Sequence, residues 1–466
     1  MKDQHLKKGW YSRIPHAIVL LFSIIILVSI LTYILPAGKY ERITIDGRSM
    51  VVPGSYHQIS NTPVSLLDMF KAIPLGFKTA VEIIFIVLAG GIMFNIMNTT
   101  HAVENAIGTL VNKLGNKQRY GIVVIMTFFY GFLGVAVGYE NNIALVPIAA
   151  VLSLALGGDL ILAAGISVGA MTVGFGLSPI NPYTVGTGQK IAELSLFSGA
   201  WLRSILCFFG LSFMAYYNVR YLKKITEDPE RSLGTGLNVE GISLTKKIAD
   251  YSMGKTDVTI LSIFIAGILL ILWGVFYRHW YINELSAVFL MIAVASGLAA
   301  RMNAGRFSES VLEGVAQAAP GAFMVGFATS IKVLMEMGNI NDTISYQMAE
   351  ALQGLPHYLS AIGMSVSQSV INFFIPSGSG QALATLPIMI PLGEVLGLTR
   401  QTTILAFQIG DGVTNLINPT LGGLIAMLSM CRVPIDRWLK FIFPVLLVIL
   451  IVSWAALIVA TAINYS

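Results

Sequence analysis

Two Asn-Pro pairs, Asn181-Pro182 and Asn418-Pro419, lie 237 residues apart within apolar segments of the chain. Proline has no amide N–H, so each pair leaves the carbonyl group four residues earlier without its helical partner. Further side chains with hydrogen-bonding oxygens lie close by, namely Ser178, Asn415 and Thr420. Such oxygens can bind Na⁺ or the polar atoms of a substrate. We therefore expect a helix break and a binding site at each pair, with Na⁺ near Asn181 and Asn418.

The separation of 237 residues extends beyond the two pairs. It also relates Gly186 to Gly423 and Trp201 to Trp438, without a gap. Internal repeats with an interrupted apolar helix in each half are typical of secondary transporters, in which the interruptions mark the binding site.

Two short polar runs divide longer apolar stretches into pairs of arms. The runs are Glu140, Asn141 and Asn142 in the first half, and Ser377, Gly378 and Ser379 in the second. In the first half, the arms have about 14 to 18 residues, which is marginal for crossing a bilayer. We predict two re-entrant helical hairpins, at about 120–158 and 355–398, with the polar runs at their tips. The free N–H groups at the start of each second arm favour a carboxylate.

Four acidic residues lie in or near the apolar segments, namely Glu82, Glu140, Glu394 and Asp411. An ionisable residue within a membrane is a candidate functional residue. We expect Glu140 and Asp411 to hold a cationic substrate group, a proton or an ion. The alternative is that they cap a helix or take part in buried hydrogen bonds. Lys332 and Glu336 are four residues apart and are expected to form an ion pair within one helix.

The composition is that of a membrane protein. Of the 466 residues, 55% are hydrophobic and 11% are charged, against about 25% charged in soluble proteins. The mean hydropathy is +0.75, and apolar runs of about 20 residues recur along the chain. We predict an all-α polytopic membrane protein, with the lipid bilayer as a partner. The net charge of +5 needs no nucleic-acid partner, because the basic residues lie mostly in loops, where they set orientation.

The segments divide the chain into five parts. They are an N-terminal helix with an external polar segment (1–78), a first repeat (79–222) with a broken helix at about 160–192, a cytoplasmic linker (223–255), two connecting helices (256–300), and a second repeat (301–466) with a broken helix at about 401–430. Basic residues place the N-terminus in the cytoplasm. From there, corresponding helices run in opposite directions, so the two repeats are predicted to be inverted. Trp201 and Trp438 are expected to anchor helix ends at the membrane interface.

Four motifs carry a resemblance to a known family. They are Gly138–Asn142, Gly176–Tyr183, Pro376–Gln381 and Asp411–Pro419. Together they resemble the anaerobic C4-dicarboxylate carrier (DcuC/YfcC) branch of the ion-transporter superfamily, over nearly the whole chain. The resemblance implies a scaffold domain, a mobile transport domain, an elevator-type movement in the cytoplasmic (inner) membrane, and a homodimer. Members of the branch are assigned to C4-dicarboxylates or to basic amino acids, including arginine–ornithine exchange.

The Na⁺-coupled dicarboxylate members of the superfamily have Ser-Asn-Thr at both tips and breaks, from which this chain departs. A dianion would normally bind Arg or Lys. No basic residue lies in either tip or either break, and Lys190 is the nearest. We therefore expect a secondary active transporter of small amino acids, first of all a basic amino acid antiporter of the arginine/ornithine type. The alternative is a C4-dicarboxylate carrier that is coupled to Na⁺ or H⁺ or works by exchange.

Two other function classes are disfavoured. An enzyme is not expected, because the six histidines are scattered and the chain has no convincing metal-ligand spacing or nucleophile elbow. A channel is not expected either, because opposed hairpins suit alternating access, in which a ligand shifts a two-state equilibrium. Apart from Na⁺ or H⁺, we predict no cofactor.

Overall fold

The computed structural model describes residues 17–45, 48–114, 118–242, 245–246, 250–278, 280–353 and 355–466. Helices make up most of the described part of the chain, which confirms the predicted all-α class. The residues before 17, from which the cytoplasmic N-terminus was predicted, lie outside the described part of the chain.

Ten α-helices are described before the linker. They are α1 (Ala17–Ile34), α2 (Leu66–Thr79), α3 (Val81–Thr99), α4 (Ala102–Leu114), α5 (Arg119–Val137), α6 (Val146–Ala155), α7 (Leu160–Ala164), α8 (Ala170–Gly176), α9 (Thr187–Ile191) and α10 (Ala200–Glu227). A 3₁₀ helix, Glu140–Leu145, joins α5 to α6, and π-helical turns occupy Gly165–Gly169 and Pro182–Gly186. Residues 177–181 interrupt the first broken helix.

After the linker, the described part of the chain contains nine more α-helices. They are α11 (Lys255–Arg278), α12 (Ile282–Ala299), α13 (Ala304–Met337), α14 (Asn341–Leu352), α15 (His357–Phe374), α16 (Gly378–Val395), α17 (Arg400–Gln408), α18 (Gly422–Met430) and α19 (Ile435–Ala462). The linker carries a 3₁₀ turn at Pro229–Arg231, and a π-helical turn at Ile409–Val413 continues α17. Residues 414–421 interrupt the second broken helix.

Among the described residues, seven helices are long and apolar enough to cross a membrane. They are Val81–Thr99, Arg119–Ala136, Ala200–Glu227, Lys255–Val275, Ile282–Ala299, Ala304–Met337 and Ile435–Ala462. Four shorter apolar segments accompany them, namely Ile18–Ile34, Glu140–Ala155, Leu160–Gly176 and Leu359–Phe374. The chain is therefore a multi-pass membrane protein, and the shorter segments include one arm of each predicted hairpin.

The polar segment after α1 contains four short strands. They are β1 (Gly38–Lys39), β2 (Arg42–Ile45), β3 (Arg48–Val51) and β4 (His57–Gln58). β2 pairs antiparallel with β3, and β1 pairs antiparallel with β4.

The same segment ends in a helix, α2, that the sequence analysis did not include. Ser65 caps α2 by accepting the N–H of Asp68, and Met69 and Ala72 are buried on the face that packs against α13. Pro74 and Gly76 lie inside α2, and both residue types disfavour a helix interior. Packing of an apolar face against α13 therefore stabilises a helix that local preference alone would not predict.

The long helices form two groups with an interface between them. Each group is defined by the contacts that its helices make with one another. The α13 group consists of α1, α2, α3, α11, α12 and α13. The α8 group consists of α5, α8, α10, α15, α17 and α19. The 3₁₀ helix 140–145 contacts α3 and α12, and α18 contacts α13. The first predicted tip and the end of the second broken helix therefore lie at the interface.

Trp438 does not have the predicted position at a membrane interface. Its side chain is fully buried, and its indole N–H donates to the carbonyl oxygen of Leu416 at 2.8 Å. Trp201, by contrast, is 52% exposed. The prediction for Trp438 was wrong because an indole N–H can equally well satisfy a carbonyl that a nearby helix break sets free.

The two broken helices touch each other at a pair of glycines. A methyl group on Gly176 would lie 2.6 Å from the carbonyl carbon of Gly412. No side chain fits between these two backbones, so the interrupted parts of both helices are held side by side.

Candidate substrate site

A cavity of about 230 Å³ lies between the two helix groups. Its polar lining comes from both predicted tips, the second break and the α13 group, through Glu140, Asn141, Ser377, Ser379, Asn415, Thr420, Thr79, Thr329 and Lys332. Its aromatic lining consists of Tyr139, Phe175, Tyr183 and Tyr281. The interface therefore forms a partly open chamber with both polar and apolar walls, one side of which is aromatic.

The first tip turns sharply at Gly138, whose φ of +103° lies in the region that favours glycine. Asn142 is buried and donates to the carbonyl oxygen of Gly138 at 2.6 Å. Glu140 and Asn141 face the cavity. Asn142 thus stabilises the turn that presents its two neighbours, and it does not line the cavity itself.

The second tip is the beginning of α16. Ser377 is the N-cap residue, and its hydroxyl accepts the N–H of Gly380 at 3.3 Å. Residues Pro376 to Ser379 all line the cavity. The amino-terminal end of an 18-residue helix therefore faces the chamber and gives this wall partial positive charge.

The first break is closed by its own side chains. The Asn181 side-chain oxygen accepts the N–H groups of Tyr183 at 2.8 Å and of Thr184 at 3.3 Å. The Ser178 hydroxyl donates to the carbonyl oxygen of Val135 at 3.2 Å. Both residues are buried, and neither lines the cavity. Pro182 likewise does not line it, so this break contributes mainly Tyr183.

The second break contains a related turn, although Leu421 and not Asn418 is the N-cap residue of α18. The Asn418 side-chain oxygen accepts the N–H of Thr420 at 3.0 Å, and its amide donates to the carbonyl oxygen of Asn372 at 3.0 Å. Asn415 and Thr420 line the cavity, whereas Asn418 and Pro419 do not. The oxygens of Asn181 and Asn418 thus already accept backbone N–H groups, and Na⁺ binding near them stays a prediction.

Asn372 is a residue that the sequence analysis missed. It is buried, and its amide nitrogen lies 2.8 Å from the carbonyl oxygen of Asp411, 3.0 Å from the Thr414 hydroxyl and 2.8 Å from the Asn415 side-chain oxygen. Asn372 therefore ties α15 to the second break. The sequence offered no specific signal for it, since the same apolar hairpin arm also carries the amide residue Gln368.

Lys332 corrects the charge argument from the sequence. The nearest basic residue was taken to be Lys190, but Lys332 of α13 lines the cavity. Its ammonium group lies 3.7 Å from a carboxylate oxygen of Glu336, as expected for this spacing. The ion pair was predicted, but its position on the cavity wall was not, because tertiary packing decides which face of α13 meets the second helix group.

The two acids expected to be functional have different positions. Glu140 is half-buried on the cavity wall. Asp411 is fully buried and does not line the cavity. A methyl group on Gly378 would lie 3.5 Å from a carboxylate oxygen of Asp411, so Asp411 lies directly behind the second tip. Of the other acids, Glu82 accepts a hydrogen bond from Asn283 and Glu394 pairs with Arg400.

Known proteins resemble this chain over its whole length. YfcC of Escherichia coli (strain K12), which bears the name "Putative basic amino acid antiporter YfcC", is 29% identical, and the alignment covers 97% of each chain. A protein of Haemophilus influenzae described only as uncharacterized is 25% identical, with 98% of each chain covered.

Two solved structures also align with the chain. MtrF of Neisseria gonorrhoeae, described among a class of antimetabolite efflux pumps, is 18% identical with a TM-score of 0.43, over 96% of this chain and 95% of that one. The YdaH transporter of Alcanivorax borkumensis is 15% identical with a TM-score of 0.45, and the alignment covers 97% of this chain and 99% of that one.

A sequence profile of the DcuC family, described as C4-dicarboxylate anaerobic carrier, matches residues 14–462. This match covers nearly the whole chain, including both tips and both breaks, and it confirms the resemblance found from the four motifs. The protein is therefore a membrane transporter that belongs to the DcuC family.

Proposed function

We propose that the protein is a basic amino acid antiporter of the arginine/ornithine type. The observation that carries the proposal is that one cavity has both a carboxylate, Glu140, and an ammonium group, Lys332, on its walls. A basic amino acid carries the complementary charges, a carboxylate at one end and a cation at the other. Lys332 and the start of α16 would hold the substrate carboxylate, and Glu140 would hold the cationic side chain.

The size of the cavity and one relative also support this proposal. About 230 Å³ is smaller than the roughly 300–1,000 Å³ of pockets for drug-sized ligands, as expected for a small metabolite. The aromatic side, which includes Tyr183 and Tyr281, offers ring faces that attract a guanidinium or ammonium group. The Escherichia coli relative bears a name that refers to basic amino acid antiport.

A C4-dicarboxylate carrier is the second candidate function. The family description names this substrate class, and Lys332 supplies one cation that a dicarboxylate would need. Against it, Glu140 would repel a dianion within a chamber of this size.

Counterflow in proteoliposomes tests the two candidates directly. Vesicles are preloaded with unlabelled arginine, ornithine, succinate or fumarate, and uptake of the corresponding labelled compound is followed. Accumulation driven by arginine or ornithine alone is the expected result. Accumulation driven only by succinate or fumarate would contradict basic amino acid antiport and favour the dicarboxylate carrier.

The finer architecture is part of the same proposal. Repeats at 79–222 and 301–466 would be inverted, with re-entrant hairpins, and the α8 group would move past the α13 group as an elevator in a homodimer. The related turns at Asn181 and Asn418 support a duplicated unit. A cysteine at Thr329 and one at Ser379, which line the cavity from α13 and from the start of α16, should stop uptake when a bifunctional thiol reagent joins them, if the walls slide. Unchanged uptake in the cross-linked protein would contradict an elevator.

The proposed orientation puts the N-terminus and the linker 223–255 in the cytoplasm of the cell, with the protein in the inner membrane. Labelling of single cysteines in intact cells by an impermeant reagent tests this. A cysteine at Thr235 should react only after the cells are opened, whereas one at Ser55 should react in intact cells.

A further inference from the structure

Behind the second tip lies a cluster of buried oxygens without partners. Neither carboxylate oxygen of Asp411 has a hydrogen-bond partner among the described residues, and the same holds for the Thr184 hydroxyl and the Asn372 side-chain oxygen. All three residues are at least 99% buried. A buried carboxylate without a partner is strongly unfavourable, and buried charges in proteins are normally paired or bound to a metal ion.

Gly378 brings two members of the cluster together. A methyl group at this position would lie 2.6 Å from the Cγ2 atom of Thr184 and 3.5 Å from the Oδ2 atom of Asp411. The backbone at the start of α16 therefore lies against both side chains. Asn372 of α15 is held next to Asp411, because its amide nitrogen donates to the main-chain carbonyl oxygen of Asp411 at 2.8 Å.

We propose that Asp411, Thr184 and Asn372 form a site for one Na⁺ ion, directly behind the second tip and separate from the substrate cavity. All the available ligands are oxygens, which suit a hard cation. The cluster has one carboxylate, and it therefore balances a single positive charge. The described residues contain no group of three or more His, Cys, Asp and Glu side chains that could hold a metal ion. Among them, Asp411 therefore has no further acidic, histidine or cysteine ligands with which to form a Ca²⁺ or Zn²⁺ site.

The position of the site gives the ion a role. Thr184 belongs to the first broken helix, Asp411 to the second and Asn372 to the second hairpin. An ion bound by all three would hold both broken helices and the second tip in the arrangement that forms the cavity wall. This site goes beyond the proposed antiport, because ion binding can be measured without any substrate.

Binding of ²²Na⁺ to the purified protein in detergent, without substrate, tests the site. The apparent melting temperature in NaCl, KCl and choline chloride at equal ionic strength provides a second measurement. The intact protein should bind ²²Na⁺ and melt at a higher temperature in Na⁺ than in K⁺ or choline. Asp411→Asn should abolish both effects, and Thr184→Val should weaken Na⁺ binding by roughly tenfold.

Two control variants match these changes. Thr461→Val removes a buried hydroxyl that donates to its own helix at 2.9 Å, and Glu82→Gln removes a carboxylate that accepts from Asn283. Both should keep the Na⁺ effects. Equal melting temperatures in the three salts, or ²²Na⁺ binding that survives Asp411→Asn, would overturn the site. Stability that depends on pH through Asp411 but not on Na⁺ would likewise overturn it and assign the carboxyl group to a proton.

Discussion

The side-chain amide of Gln408 donates a hydrogen bond of 2.7 Å to the carbonyl oxygen of Ser178. This carbonyl is the one that Pro182 leaves without a helical partner, four residues earlier in the chain. The side-chain oxygen of Gln408 accepts from the guanidinium group of Arg203 at 3.0 Å. A residue of the second broken helix thus closes the break in the first, and a fully buried arginine fixes its orientation.

Gln408→Leu should destabilise the protein more than an ordinary core substitution. It leaves the Ser178 carbonyl oxygen unsatisfied and removes one acceptor from buried Arg203, which together cost about 3–5 kcal/mol. The apparent melting temperature in detergent should fall clearly. Gln353→Leu, at an exposed position, is the control and should change it little. Equal melting temperatures for both variants would contradict the role of Gln408.

Glu140→Gln should reduce uptake of arginine and ornithine by roughly tenfold or more, because the cation loses its charged partner on the cavity wall. Initial rates over a range of concentrations in proteoliposomes measure this. Glu227→Gln is the matched control, since Glu227 is exposed on α10 and does not line the cavity. Wild-type arginine uptake by Glu140→Gln would remove the basis for the cationic substrate.

Lys332→Met should raise the KM for arginine by roughly tenfold, since methionine keeps most of the length of the side chain and lacks its charge. Agmatine lacks the carboxylate that the ammonium group is proposed to bind. With arginine supplied at the KM of each protein, the same concentration of agmatine should therefore halve arginine uptake in the variant and in the parent. Lys71→Met provides a control, because Lys71 pairs with Asp68 on α2 away from the cavity. An unchanged KM in Lys332→Met would exclude this contact.

Asn181→Ala should lower stability by about 1 kcal/mol, whereas Asn181→Ser should retain most of it, because serine can also cap a helix. The same pair of changes at Asn418 should behave alike, since its side chain accepts the N–H of Thr420. Melting temperatures of the four variants measure the effect. A serine variant as unstable as its alanine counterpart would mean that the asparagine has a different role.

The linker 223–255 should detach from α4 in acid. Burial raises the pKa of Glu104, but hydrogen bonds from Thr245 and Tyr251 outweigh it and lower the pKa to about 2. Since the folded-state pKa lies below the ordinary value of 4.5, the stabilisation is complete above that value and is lost as the pH falls toward 2. Glu104→Gln should therefore be less stable than the parent at pH 7, and the difference should disappear toward pH 2.

Melting temperatures across this pH range measure that difference. Glu227→Gln, at an exposed position on α10, should follow the parent at every pH. A gap between Glu104→Gln and the parent that stays constant down to pH 2 would contradict the linkage.

The fold class and the positions of the breaks could be predicted because they depend on local chemistry. Apolar runs fix the helical class, and each break contains an Asn-Pro pair, in which proline lacks an N–H and asparagine can bond to the backbone groups that the break exposes. Proline alone is not sufficient, because Pro74 and Pro320 lie inside continuous helices. The direction of each side chain could not be predicted in the same way. Asn181 and Asn418 look the same whether they face a ligand or cap a backbone, and the structure gives them the second role.

The parts of the site that were missed depend on packing between distant segments. Lys332 was identified as half of an ion pair, but only the contact of α13 with the second helix group brings it to the cavity. Asn372 has no mark in the sequence that separates it from other amides in apolar helices. Trp438 and α2 were misjudged for the same reason, because tertiary contacts decided their burial.

The contact between Gly176 and Gly412 limits how this protein can be re-engineered. The two main chains touch there. A residue larger than glycine at either position would therefore push the other broken helix away and disturb the cavity wall that both helices support. Mutant libraries confined to one half would therefore meet a barrier set by the other half. A change of specificity near this crossing is best sought by varying both halves together, with these two positions held as glycine.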